Sequence, residues 1–295
     1  MTSCKFKPNA EIAQQKRLEA LDKLSQGITQ LLNSGDWHKY LQTQAKFHRY
    51  SFNNCMLILM QRPDAAQVAG FNTWKQMGRN VRKGEKGISI LAPLVRSAES
   101  SEDGSTERTL SGFRTVAVFD IAQTEGSPLL EVCHALQGDD QGLFNLLQAF
   151  ATNIGIPVNV KEMAHNGLCR YAQGKPIEIA INEKLAPLHK AKSLAHELAH
   201  ATIAHNPKEY KNHRGDMELE AESTAYVILN HFGIDSAAYS FGYIANWQKA
   251  ADKDLKGTLE QIKSSAQVIH KTSFEVINWI ESQVFSADKR ALSNS

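Results

Sequence analysis

The sequence predicts an α+β chain of two domains, and three observations carry that prediction. Helical periodicity dominates both ends, alternating strand patterns occupy two separate stretches, and the basic charge gathers in the first half alone. At 295 residues, with 42% hydrophobic and 22% charged side chains, the chain has ordinary globular composition and room for two cores. That balance excludes a disordered chain, and no apolar run reaches the roughly 18 to 20 residues that would span a bilayer.

The first domain is expected over residues 1–126. Residues 9–33 place Ile12, Leu18, Leu21, Leu24, Ile28, Leu31 and Leu32 at helical spacing. A second helix follows over about Trp37–Phe47. A third, apolar one covers about Asn53–Met60 before Pro63. The Lys83–Gly87 turn leads into an alternating strand, Ile88–Leu94, with Gly112–Phe119 as its antiparallel partner. Between them residues 97–108 are polar and without periodicity, which reads as a long hairpin loop.

Residues 127–140 read as a linker, and the second domain as 141–295. It opens with a helix over about Gln141–Asn153, a strand over Ile156–Val160 and, after the Gln173–Pro176 turn, a strand over Ile177–Ile181. Four helices are expected after that, over about Pro187–His205, Asp216–Phe232, Ser240–Leu255 and Thr258–Val284.

Charge separates the halves more sharply than the net value of +2 suggests. Residues 1–125 carry 17 Lys and Arg against 12 Asp and Glu, the remainder 16 against 19. Within Trp37–Arg96 the ratio is 10 to 2. Such a stretch either contacts a polyanion or is a solvated basic face, and charge alone does not choose. Cys4, Cys55, Cys133 and Cys169 form no CxxC pair, and the N-terminus has no apolar signal segment. Both features favour a reducing compartment, so a cytoplasmic location is expected.

The chemistry resides in His196-Glu197-Leu198-Ala199-His200. Each helical residue advances about 100°, so His196 and His200 project one turn apart on one side and can ligate one ion. Glu197 can then reach a water in the open position and take its proton, the role of a catalytic base. A third ligand is needed. The position six residues beyond His200 is Asn206, which excludes completion by a histidine there, and His205 points away. The following helix offers Glu218 and Glu222 at i,i+4, on a face shared with Ala221 and Ala225 that permits close approach. Glu218 is the expected ligand and Glu222 the carboxylate that orients a ligand histidine, with the reverse assignment as the alternative. Glu220 is expected to face solvent. A His2Glu set leaves one position open, as in catalytic zinc sites; manganese or another divalent ion is the alternative to zinc.

Several stretches resemble a known family. His48–Asn54 and Phe71–Gly87, with Gly112–Thr124, are similar to the single-stranded-DNA-binding domain of ArdC-type antirestriction proteins. HELAH, the Glu218–Glu222 stretch and Tyr239–Trp247 resemble their zincin-like metallopeptidase domain, and also the wider group of regulatory metallopeptidases that cleave repressors. The resemblance covers roughly Ile12 to Trp247 in the expected order. It implies a plasmid- or phage-borne protein with non-specific single-stranded DNA binding, protection of incoming plasmid DNA from restriction, and a metallopeptidase activity whose necessity is open. Elementary chemistry supports part of this, because strand binding needs cations for phosphates and aromatics for bases. The candidates are Arg49, Tyr50, Asn53, Asn54, Trp74, Lys75, Arg79, Arg82, Lys83 and Lys86. Core packing is the better reading of Tyr50, Phe52, Phe71 and Trp74 taken singly, and Asn53 and Asn54 are equally suited to capping a helix.

Overall fold

The structure, a computed structural model, describes residues 8–34, 37–99, 106–127, 140, 142–203, 210–234 and 253–293. Helices α1 (Pro8–Ser34), α2 (Trp37–Lys46) and α3 (Phe52–Gln61) are followed by β1 (Val68–Gly70), α4 (Phe71–Gln76) and β2 (Arg79–Val81). Next come β3 (Ile88–Glu99), β4 (Thr106–Asp120) and β5 (Thr124–Gly126). The second half holds α5 (Leu143–Asn153), β6 (Val158–Lys161), β7 (Gly167–Ala172), β8 (Lys175–Asn182), α6 (Pro187–Ile203), α7 (Tyr210–His231) and α8 (Leu255–Ser293). The helix expected over about 240–255, the Tyr239–Trp247 motif, His205, Asn206, Cys4, Cys133 and most of the 127–140 linker lie outside the described residues.

Two compact units emerge, and their division does not follow the chain in order. One comprises residues 1–31 and 53–130, the other residues 32–52 and 131–295. Residues 32–52 thus leave the unit that flanks them on both sides.

In the first unit a three-stranded sheet has the order β1-β4-β3 and a second pairs β2 with β5, all antiparallel. The expected hairpin is present, with Ile88 opposite Val118, but its ladder runs on to Glu99 opposite Thr106. Much of the expected polar loop is therefore strand. A register shift at Leu94/Val95 marks an irregularity where Gly112 holds φ 143°, a conformation that favours glycine.

β3 is an edge, and α3 closes it with side chains rather than a strand. The Asn54 amide accepts from Leu91 N and donates to Leu91 O, each at 2.9 Å. Gln61, seven residues on along the same helix face, repeats the pattern on Ser89 at 2.9 and 3.0 Å. Four backbone groups of an edge strand are thereby satisfied or engaged without a fourth strand. α1 packs closely on α3 at Gly27, where a Cβ would lie 2.9 Å from Met56 Cε and from Met60 Cγ.

In the second unit the sheet order is β6-β8-β7, with β6 parallel and β7 antiparallel to β8. Ile179, Ala180 and Ile181 of β8 are wholly buried with Leu194, Ala195 and Leu198 of α6. The apolar faces of α5, α7 and α8 complete the core through Leu147, Val227, Ile228, Ile277 and Ile280. The 32–52 segment is built into this unit by buried polar bonds. Trp37 Nε1 donates to Ser223 Oγ at 3.0 Å, and Gln44 Nε2 donates to Ser273 Oγ at 3.1 Å.

Candidate metal centre

α6 brings His196 and His200 together because they stand one turn apart on the side opposite its packed Ala191–Leu194–Leu198 stripe. Their Nε2 atoms are 3.1 Å apart, and Glu218 of α7 reaches His196 Nε2 at 3.5 Å and His200 Nε2 at 3.7 Å. One ligand atom from each lies within 4.8 Å of the others. Tetrahedral ligands at about 2.0–2.2 Å from an ion stand about 3.3–3.6 Å from one another, so the donor set fits a divalent cation. A second observation agrees: Glu222 Oε2 is buried with no hydrogen-bond partner, an acceptor suited to a cation.

Glu197 stands beside this set in the wall of a cleft of about 580 Å³ lined also by Asn166, Gly167, His189, Ser193 and His196. Burial raises its carboxyl above the ordinary range; His196 and a backbone hydrogen bond from Cys169 oppose that shift, and Glu218 adds to it. Burial would lower His196, but the hydrogen bond to Glu218 and the charges of Glu197, Glu218 and Glu222 raise it overall. Glu222 is raised by burial as well. The pocket thus gathers three carboxylates about two imidazoles, an electrostatic demand that a divalent ion meets.

β7 supplies residues that sequence patterning does not disclose. A Cβ on Gly167 would fall 2.7 Å from Glu197 Cγ, so only glycine lets this strand pass the carboxylate so closely. Tyr171 Oη donates to His200 O at 3.0 Å, tying strand to helix below the ligand. Burial pushes the Cys169 thiol up to about 11, so it is no thiolate nucleophile at neutral pH. The only sequence signal for β7 is a weak alternation in Leu168, Arg170 and Ala172 against Cys169 and Tyr171.

Glu222 faces His196 electrostatically, and its Oε2 makes no hydrogen bond to it. Glu220 departs from expectation. Ser265 Oγ of α8 donates to its Oε1 at 2.6 Å, so it is half-buried against the C-terminal helix rather than in solvent.

The ten candidate DNA-binding residues fall into three groups. Arg49 and Tyr50 lie in the second unit, where Arg49 Nη2 donates to Glu281 Oε2 at 3.0 Å. Asn54, Trp74, Arg79 and Arg82 of the first unit are engaged internally. Trp74, 2% exposed, donates from Nε1 to Phe119 O at 2.8 Å. Arg79 clamps β5 through Thr124 Oγ1 and Ser127 O at 2.8 and 2.6 Å. Arg82 bonds Glu85 at 2.9 Å and the carbonyl of Ala122. Lys75, Lys83 and Lys86 are exposed, and Asn53 is half-buried. Phe52 is buried as expected, but Phe71 is 53% exposed at the start of α4, contrary to the core reading. The reason is that a six-residue helix buries one face only, and Trp74 occupies it.

Comparisons with known proteins divide the chain in sequence order, and the first match runs through residues 32–52 of the second unit. Residues 14–119 match the model for the N-terminal domain of anti-restriction factor ArdC, and residues 151–264 the model for the IrrE N-terminal-like domain, a peptidase family. An uncharacterized Bacillus anthracis protein, pXO2-81, is 27% identical over 96% of this chain and 54% of its own length. The chain thus spans about half the length of that curated relative. Two crystal structures of the antirestriction ArdC protein from plasmid R388 are also similar. The metal-free one has TM-score 0.45 and 17% identity over 79% of this chain and 85% of that one. The Mn(II)-bound one has TM-score 0.41 and 18% identity over 76% and 87%. No helix among the described residues is long and apolar enough to cross a membrane. With both domain models matched in order along it, the chain has the ArdC-type architecture, an ArdC N-terminal domain followed by an IrrE N-terminal-like domain.

Proposed function

We propose that this protein is an antirestriction factor whose first unit binds single-stranded DNA without strong sequence preference and whose second unit is a zinc-dependent peptidase-type domain. It would act in the cytoplasm on plasmid DNA entering a cell. The observation that carries this reading is the presence, in one chain, of an ArdC N-terminal domain and a converging His196, His200 and Glu218 set with Glu197 beside it. In the first unit the exposed cations Lys75, Lys83 and Lys86 supply phosphate contacts, and Phe71 supplies an exposed ring for a base.

His196, His200 and Glu218 would hold the ion. When bound, a divalent ion supplies Lewis acidity, polarising a carbonyl oxygen and making a coordinated water more acidic. Glu197, raised by burial, is a stronger base than an exposed glutamate; it would take a proton from water and return it to a departing amine nitrogen. β7 lies at an edge of its sheet, next to the cleft, so an extended peptide could lie along it as an added strand.

A second reading is a regulatory metalloprotease that cleaves a host or repressor protein, with DNA binding serving to localise it. The ordered surroundings of Glu197 favour keeping it. The variant Glu197→Gln separates the two, because it preserves the ligands and removes the base. If shielding suffices, transfer of unmodified plasmid into a restricting recipient is protected equally by variant and wild type. Loss of protection in the variant, with single-strand affinity intact, rules out shielding alone and favours the second reading.

A further inference from the structure

A second cluster in the same unit repeats the donor set of the first. His48, just beyond α2, His231, the last residue of α7, and Glu281 of α8 place one ligand atom each within 4.8 Å of the others. His231 Nε2 is 3.1 Å from Glu281 Oε1, and His48 Nε2 is 3.7 Å from Glu281 Oε2. The two rings stand 4.4 Å apart and inclined at 71°, close to the 4.7 Å and 78° of His196 and His200.

Hydrogen bonding decides what these atoms offer. His231 Nδ1 is 2.9 Å from the Ala45 carbonyl, which can only accept, so Nδ1 carries a proton. That fixes Nε2 as the atom turned to Glu281, the orientation in which ligand histidines are held by a backbone carbonyl behind them. His48 is more telling. Its side chain is 8% exposed, and neither ring nitrogen has a hydrogen-bond partner. A buried imidazole with both nitrogens unsatisfied is costly unless a partner is supplied. Glu281 is suited to a cation too. Its carboxylate lies against the His231 ring and the Arg49 guanidinium, at 3.1 and 3.0 Å. Arg49 approaches Oε2 from solvent, with its side chain 65% exposed, and leaves Oε1 to His231 and to an ion.

We propose that His48, His231 and Glu281 form a second divalent-metal site of the zinc class, with water completing the coordination. α7 joins the two sites: Glu218 and His231 are thirteen residues apart on it, about 20 Å along the axis. No residue is shared. The ion would fasten residues 32–52 to the end of α7 and to α8, so its role is structural.

Metal content of the untagged full-length protein tests this. Protein stripped with chelator, reloaded with excess Zn²⁺ and exchanged into metal-free buffer at neutral pH is expected to retain two zinc ions per chain by mass spectrometry. The His196→Ala/His200→Ala variant, which leaves the second cluster untouched, is expected to retain one and to melt at a higher temperature with Zn²⁺ than without. His231→Ala is expected to retain one as well, lost when the His196 and His200 changes are added. One zinc in the wild type, or none in the His196→Ala/His200→Ala variant together with an unshifted melting temperature, overturns the proposal. The wild-type stoichiometry decides even if a variant fails to fold.

Discussion

The helix bearing His196 and the basic stretch Trp37–Arg96 stand out equally in the sequence, yet they fare differently in the fold. In α6 the spacing that suggests a metal site survives intact, with both Nε2 atoms 3.1 Å apart. The basic stretch is divided between two units at Phe52 and Asn53. Its arginines and Trp74 are spent largely on internal bonds, to Glu281, Thr124, Ala122 and Phe119. A motif fixed by one helical turn is local and therefore rigid, whereas a run of like charge constrains no geometry.

Three substitutions can break or sharpen this contrast within the first unit. Trp74→Ala removes a buried indole and should cost about 3–5 kcal/mol in urea unfolding; a loss under 1 kcal/mol would return Trp74 to the surface and to base stacking. Asn54→Ala leaves the backbone of Leu91 without the amide that pairs it, at a cost of about 1–3 kcal/mol. Its single-strand affinity should be unchanged at temperatures where it stays folded. Lys75→Ala is expected to leave stability within about 0.5 kcal/mol and to reduce the salt dependence of single-strand binding by about one unit of slope. An unchanged slope there would remove Lys75 from the contact surface.

The half bearing the candidate metal centre is legible wherever one helix, or two neighbouring ones, set the geometry. Glu218 follows from i,i+4 spacing beside alanines, and α7 places it 3.5 Å from His196. Glu220 departs from its expected exposure because a 200° offset predicts which face it occupies but not that α8, some forty residues later, covers that face. β7 was not foreseen, as six residues with three of them half-buried carry little periodicity. Its Gly167 and Tyr171 matter only through contacts with Glu197 and His200 across the unit. Asn54 looks like a helix-capping or DNA-contacting residue until its sheet is seen to end at β3 beside it.

The sequence by itself determined the two-domain α+β class, the boundaries of most long helices, the β3–β4 pairing and the His196-Glu197-His200 core of the site. Each of these depends on periodicity or on contacts a few residues apart, which composition and spacing encode directly. Only the tertiary structure decided that residues 32–52 belong to the second unit, that Arg79 is bound along β5, and that His48 meets His231 and Glu281. Those outcomes rest on pairings between residues some 45 to 230 apart, where no local pattern records which surfaces will be buried against each other.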